Sequence, residues 1–313
     1  MKYQLFTYRS DGGAPRTGIA VANMLYDLAV VAGDLDIGSA GIDELLENWA
    51  RSHDLLLSAA RRIGASPDRK PTLNADRVAL LPPLSRPGVI YAAGANYRDH
   101  VEAMSRAFRM KLVLDPKAEG IPPWHFIKAG RGTLSGHRET VRFPEGCKKL
   151  DWEAELAVVI GRYASRVSRE GALDYVAGYA CANDLSARDI FVREQVDASS
   201  PFRFDWIGHK SFNGSCPLGP YLTPAAFVES PEELDIKLWV NGELRQDSNT
   251  SNHLYGVADQ IAHLSARVDL YPGDIVLTGT PAGVGMESGT FLKRGDVMRV
   301  AIEGLGELET TVA

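Results

Sequence analysis

The sequence predicts an α+β protein, mainly β. It divides into a small N-terminal α/β unit over residues 1–80, a Pro-rich connector at 81–88 and a larger β-rich domain over 89–313. Three observations lead there. Short β-like runs separated by turn signals recur from Val89 onward, a strong helical periodicity is confined to the N-terminal part, and LLPPLSRPG (80–88) interrupts both. The 313 residues are enough for one large or two modest domains at roughly 100–200 residues each.

Taken in order, Tyr3–Tyr8 and Gly18–Val21 read as short strands. In GIDELLENWARSHDLLLSAARRIG, the residues Ile42, Leu45, Leu46, Trp49, Leu56 and Ala59 recur at spacings near three and four, which suits one buried helix face. Gly64 and Pro67 stop that helix. Beyond the connector, Val89–Ala92, Glu155–Ile160, Tyr175–Cys181, Leu234–Val240, Asp274–Thr278 and Val297–Ile302 read as strands, and Asn241-Gly242 as a hairpin turn. Helical pieces intervene around Tyr97–Met110 and Leu254–Ser265.

Composition narrows the function. With 45% hydrophobic and 24% charged residues and a net charge of −6, the chain has no basic footprint for nucleic acid and no Lys/Arg run for an anionic membrane. MKYQLFTYRSDGGAPR turns polar too soon for a signal-peptide core, and the apolar runs fall far short of the ~20 residues a membrane span needs. Cys147, Cys181 and Cys216 are odd in number, widely spaced and without a C-x-x-C, which argues against a disulfide framework. The expectation is a cytoplasmic protein acting on a small molecule.

The chemistry is concentrated in five stretches. In LDWEAELAVVIG (150–161), Glu153 and Glu155 fall on one face of a strand, because alternate side chains point the same way. Either that face is solvated or something positive lies on it. Asp184, in GYACANDLSARD, follows a strand-like run; it is either a helix or turn cap or a third carboxylate of an all-oxygen site suited to Mg²⁺ or Mn²⁺. YAAGANYRDHVEAM (91–104) leads from a Gly turn into a helix with Tyr97, His100 and Glu102, and histidine is the natural base near neutral pH. HKSFNGSCPLGP carries Lys210, a residue type ordinarily solvated, and the glycines of LTGTPAGVG (277–285) could let backbone amides approach an anion. P-loop, G-x-S-x-G and zinc spacings are absent, and His125 and His137 fit no metal spacing.

These blocks, in this order, resemble the fumarylacetoacetate hydrolase family from about Val89 to the C-terminus: GANYRDH, FIK, DWEAELAVVIGR, GYACANDLSARD, KSFNGSCPLGP, NGELRQDSNTS and PGDIVLTGTPAGVG. The resemblance implies a mixed β-sandwich roll, a homodimer, and Mg²⁺ or Mn²⁺ (Ca²⁺ in some members) held by Glu153, Glu155 and Asp184. It implies that Lys210 faces the substrate, that Thr280 holds a substrate carboxylate, that Arg188, Tyr97 and Lys128 join substrate binding, and that His100 is the histidine of a mobile lid. Two positions depart from the pattern. The glutamate that orients the lid histidine three residues on is Ala103 here, with Glu102 beside it as the candidate catalytic substitute; i+2 on a helix points away from i, so Glu102 serves His100 only if the lid is not helical there, and otherwise another carboxylate must substitute. A glutamine commonly seven residues after the metal aspartate is Phe191, a less polar edge, and Met104–Lys128 and Val192–His209 are extended segments that would shape the pocket's mouth. The implied activity is hydrolysis of a C–C bond in a 2,4-dioxo acid, an acylpyruvate or fumarylpyruvate-like compound from aromatic or sugar-acid catabolism. Decarboxylation, isomerisation or hydration of a related oxo acid is the alternative, and a non-catalytic small-acid-binding member the alternative of another class.

Overall fold

The computed structural model describes residues 1–10, 12–66 and 69–313. Pro67, read above as a helix stop, lies outside the described residues. The expected N-terminal helix divides into two, Ile42–Leu46 and Trp49–Gly64, with Glu47 and Asn48 between them. The longer helix buries Leu56, Ala59, Ala60 and Ile63 along one stripe, as its periodicity predicts. Among the described residues, no helix is long and apolar enough to cross a membrane.

The fold is mixed α+β and mostly sheet. An 11-stranded sheet runs, along its main path, from Met24–Asp27 through Arg16–Val21, Gln4–Ser10, Cys216–Pro224, Val176–Asn183, Ala154–Ile160, Ile275–Leu277 and Ile90–Ala93 to His125–Lys128. A five-stranded sheet, built on the hairpin Asp235–Val240 and Glu243–Asn249 with Val297–Ile302, Gly306–Val312 and Thr140–Val141, packs against it. The hairpin turns at Asn241 and Gly242, both at positive φ (51° and 81°), as an Asn-Gly pair in a two-residue loop should.

The strands of residues 1–80 are continuous with the large sheet. Gln4–Ser10 pairs with Cys216–Pro224 at Leu5 and Leu222, and also takes Val78–Leu81 on the same edge region. The N-terminal helices cover one face of that sheet, and the five-stranded sheet covers the other.

This double cover explains the strand that carries the paired glutamates. Every residue of Ala154–Ile160 is buried. Leu156, Val158 and Ile160 pack with Ile236, Leu238 and Val300, whereas Ala157 and Val159 pack with Leu56, Ala59 and Ile63. A strand covered on both faces is apolar at every position instead of alternating. Glu155 shares the parity of Ala157 and Val159, so it emerges on the N-terminal-helix face, where the sheet ends.

All three cysteines are buried and free. Burial, helped at Cys147 by the Asp189 carboxylate, pushes their thiols up to about 12. Since the thiolate is the reactive form, roughly one thiol in ten thousand is ionised at pH 8. The native protein should therefore resist a disulfide-exchange reagent at pH 8 for hours and release three thiol equivalents only in denaturant; a fast equivalent in the native state contradicts the packing.

Candidate active site

The antiparallel register pairs Ala154 with Asn183 and Glu155 with Ala182, which brings Glu153 opposite Asp184. The Asp184 amide donates to the Glu153 carbonyl at 2.8 Å, and the Asn183 side-chain oxygen accepts from the Glu153 amide at 2.8 Å. As a result Glu153, Glu155 and Asp184 each offer a carboxylate oxygen within 4.8 Å of the others, and all three are buried. The solvated-face reading of the paired glutamates is thereby corrected: the sheet end is covered, and the positive alternative holds.

Cations surround the trio. Lys210 Nζ lies 2.7 Å from both Glu153 Oε2 and Asp184 Oδ2, and Lys128 Nζ lies 2.5 Å from Asp184 Oδ1 while donating to the Lys210 carbonyl. Arg188 reaches Asp151 at 2.9 Å and Glu153 at 2.5 Å, so both its arms hold carboxylates. Burial alone would raise the Glu153 carboxyl, but Lys210, Arg188 and, at longer range, His100 hold it well below the usual range. Burial works to lower the Lys210 ammonium; Asp184 and Glu153 outweigh it and raise it.

Glu155 is the exception. It accepts the Gly279 amide at 2.7 Å and has no ion pair among the described residues. Burial first, then Asp184 and Glu153, push its carboxyl well above the ordinary value. Four carboxylates (Asp151, Glu153, Glu155, Asp184) meet three cations (Arg188, Lys128, Lys210), and Glu155 carries the shortfall. Three buried carboxylate donors, with no sulfur or imidazole among them, fit a hard divalent cation. The residues present therefore suit the metal that the sequence implied.

The Gly279–Thr280 turn is locked around this cluster. Gly279 has φ +101°, and a Cβ there would fall 2.8 Å from Asn96 Cβ, so a side chain is excluded twice over. Gln246, fully buried, donates to Thr280 Oγ1 at 2.9 Å and to the Pro281 carbonyl at 2.8 Å while accepting the Ala154 amide at 2.9 Å. Asn96 donates to the Thr278 carbonyl at 2.7 Å and to the Tyr255 carbonyl at 2.9 Å.

His100 opens a second group, on the helix Arg98–Phe108. Its Nδ1 lies 2.7 Å from Glu287 Oε1, and the other Glu287 oxygen accepts the Gly283 amide at 2.8 Å. Glu102, expected as the substitute partner of His100, does not reach it. Its carboxylate lies 4.0 Å from Arg106, one turn on along the helix and largely exposed. The i+2 geometry separates Glu102 from His100, and the partner comes from 187 residues away instead. The short helix carrying Glu287, Gly285–Ser288, is anchored by Asp151, which accepts the Gly285 and Met286 amides at 2.6 and 3.0 Å.

Of the residues expected at the site, the structure gathers Glu153, Glu155, Asp184, Lys210, Lys128, Arg188 and the Thr280 turn into one cluster. His100 is joined to it through Glu287, whose short helix is anchored by Asp151, which shares Arg188 with Glu153. Tyr97 is fully buried, with its hydroxyl raised by burial and then by Glu155 and Asp99. That hydroxyl and both ring nitrogens of His253, whose ring lies 4.4 Å from the Tyr97 ring, have no hydrogen-bond partner among the described residues. Glu287, Asp151 and Gln246 were missed. Asp151 alone had a sequence signal, since it extends the row of Glu153 and Glu155 at the same spacing of two.

With that geometry described, comparisons with known proteins are direct. The pattern of the family described as "Fumarylacetoacetate (FAA) hydrolase C-terminal" matches residues 89–313. The mitochondrial oxaloacetate tautomerase of Rattus norvegicus is 35% identical over 275 residues, covering 87% of this chain and 81% of that protein. The maleylpyruvate hydrolase of Sphingobium sp. SYK-6, solved with manganese(II) and pyruvate, superposes with a TM-score of 0.72 at 30% identity, covering 99% of this chain and 98% of that one. The fumarylacetoacetate hydrolase of Exiguobacterium antarcticum superposes at 0.73 with 28% identity, over 99% of each chain.

Burial pushes His253 down to about 3, so the folded protein keeps it neutral where the unfolded chain protonates it. Stability is unaffected above the unfolded value near 6.5 and falls as pH drops from there toward 3, by about 1.4 kcal/mol per pH unit. Replacing His253 by Met should shrink the loss of urea stability between pH 7 and pH 4.5, without lowering stability at pH 7. An unchanged acid limb would contradict the unpartnered ring.

Proposed function

Because the chain belongs to the fumarylacetoacetate hydrolase family, we propose that it hydrolyses a C–C bond of a 2,4-dioxo acid, an acylpyruvate or fumarylpyruvate-like compound, with a divalent cation at Glu153, Glu155 and Asp184. The observation that carries this reading is the buried His100–Glu287 pair, linked to Glu153 through Asp151 and Arg188. A histidine held through Nδ1 by a carboxylate keeps Nε2 as its basic nitrogen, the arrangement a general base for water requires.

A bound Mg²⁺ or Mn²⁺ would polarise the 2-oxo and carboxylate oxygens of the substrate as a Lewis acid. The chain's own groups do the rest. His100 Nε2 takes a proton from water, and the hydroxide adds to the distal (C4) carbonyl carbon. The C3–C4 bond then breaks, releasing the distal half as a carboxylic acid and leaving its electron pair on a pyruvate enolate that collects a proton. Lys210 and the amides around Thr280 hold the negative charge that develops. Arg188 and Asp151 act as positioning residues, tying Glu153 to the turn that carries Glu287.

A second reading is favoured by one comparison, the 35% identity to an oxaloacetate tautomerase. In it the same His100 shuttles a proton between carbon and oxygen of a 2-oxo acid, and no bond between carbons breaks.

The test uses protein stripped with EDTA and reloaded with Mg²⁺ or Mn²⁺, following ultraviolet loss of an acylpyruvate enol beside the keto–enol interconversion of oxaloacetate. Metal-restored acylpyruvate loss, absent in Glu155→Gln, supports hydrolysis; oxaloacetate interconversion alone supports the second reading; neither rejects both.

The pairing itself has a separate test. His100→Ala should lower turnover by ~10²–10⁴-fold. Glu287→Gln should lower it at least roughly tenfold, as loss of an orienting carboxylate does, while Glu102→Gln, on a half-buried side chain paired only loosely with Arg106, stays within roughly twofold. A larger loss at Glu102 than at Glu287 would reverse the assignment.

A further inference from the structure

Two elements supply the lysines of the acid cluster, and each also carries aromatic side chains on the lysine's face. Along the strand His125–Lys128 and the residue before it, Trp124, Phe126 and Lys128 alternate onto one side. On the helix Trp206–Lys210, Trp206 and Lys210 are four apart and share a face. The aromatic groups meet: Trp124 and Trp206 at 5.5 Å between ring centroids, Phe126 and Trp206 at 5.4 Å, Phe191 and Trp206 at 4.6 Å, Phe191 and Phe204 at 5.1 Å.

The inner end of this wall touches the chemistry, since Lys210 Nζ lies 5.2 Å from the centre of the Phe126 ring. The outer end is in solvent: Trp124 is 51% exposed, Phe204 46% and Trp206 38%. Trp124 lies against the loop that leads to Tyr97 and His100, where a Cβ on Gly94 would fall 1.8 Å from its ring. Phe191 stands in the same wall. The His209 ring lies in the same wall, 4.8 Å from the Phe191 ring and with its Nδ1 3.1 Å from the Ala187 carbonyl; the surface that starts at the buried ammonium and runs outward is otherwise aromatic.

We propose that this wall is the specificity surface for the distal end of the substrate, and that it selects 2-oxo or 2,4-dioxo acids whose far end is an aromatic ring or a comparably flat apolar group over those ending in methyl or carboxylate, which narrows the class proposed above to its acylpyruvate side and away from fumarylpyruvate-like acids. This rests on the reading of the acid cluster as an oxo-acid site. The carboxylate and 2-oxo end lies toward Lys210 and Thr280, and the ring lies over Phe126 with Trp124 and Trp206 around it. A carboxylate at the distal end would lose hydration against these rings.

The test compares acetylpyruvate with benzoylpyruvate on the Mg²⁺-loaded enzyme, and measures binding of pyruvate and phenylpyruvate by quenching of tryptophan emission. The expected kcat/KM ratio favours the phenyl compound by roughly tenfold or more, the gain a matching apolar group makes in a hydrophobic pocket. The ratio should collapse toward one in Trp124→Ala and survive in Trp124→Phe, with melting curves verifying that both fold. A ratio near one in the wild type, or one untouched by Trp124→Ala, overturns the proposal while acetylpyruvate turnover keeps the oxo-acid reading. If Trp124→Ala splits an oligomer in sedimentation and leaves the ratio intact, the wall is a subunit contact and the proposal falls. If no oxo acid is turned over, the reading of the function fails, and the binding ratio then decides the wall alone: phenylpyruvate no tighter than pyruvate overturns it.

Discussion

Three carboxylates buried side by side repel one another, and the interior they occupy screens that repulsion far less than water does. Much of what surrounds Glu153, Glu155 and Asp184 can be understood as the answer to that constraint. Two lysines that would ordinarily be solvated are drawn fully inside, Lys128 from a strand and Lys210 from a short helix. An arginine joins them, and the backbone amide of Gly279 turns toward the one acid they leave uncompensated. Breaking any of these pairs leaves a buried charge without a partner, which is costlier than the pair itself is stabilising. The shortfall at Glu155 gives the cluster its appetite for a small, doubly charged ion.

The same electrostatics link regions far apart in sequence. Asp151 accepts from the helix Gly285–Ser288, and through Arg188 it is joined to Glu153; Glu287, on that helix, holds His100. The histidine's orientation and the position of the acids are thus set by one continuous set of contacts. Gln246 performs a parallel task on the other side, bridging Ala154 to the Thr280 turn. Rigid hydrogen-bonded supports of this kind keep reactive groups in place without having to touch the reacting atoms.

Local rules made part of the site legible in the sequence, and the family resemblance, not those rules, joined its acids to one another and to Lys210 and Thr280. Glu153 and Glu155 alternate on a strand, Asp184 follows the next strand in the register, and the Asn-Gly turn and most strand positions follow from composition and period. The fully buried Ala154–Ile160 also read correctly as a strand, though its surroundings did not, since an apolar run does not reveal what covers it. The rest of the site depends on non-local pairing. Nothing about Glu287 in GVGMES points to His100, and Gln246 sits in a hairpin strand of otherwise polar, ordinary appearance. Glu102 lies only two residues from His100, and helix geometry turned it toward Arg106 instead. The continuity of the N-terminal strands with the large sheet escaped notice for a similar reason: the joining pair, Leu5 and Leu222, lies on segments more than two hundred residues apart.

The distance between His100 and its carboxylate has a consequence for the life of the chain. The acids and the lysines all lie before residue 211, whereas Glu287 lies 187 residues beyond His100. Contacts of such long sequence separation close late, because the entropy of the intervening loop must be overcome first. A nascent chain that has passed residue 211 but not yet reached residue 287 would carry the charged cluster with His100 lacking its carboxylate. The histidine acquires its orientation only once the segment around Glu287 has been made and has folded back onto it.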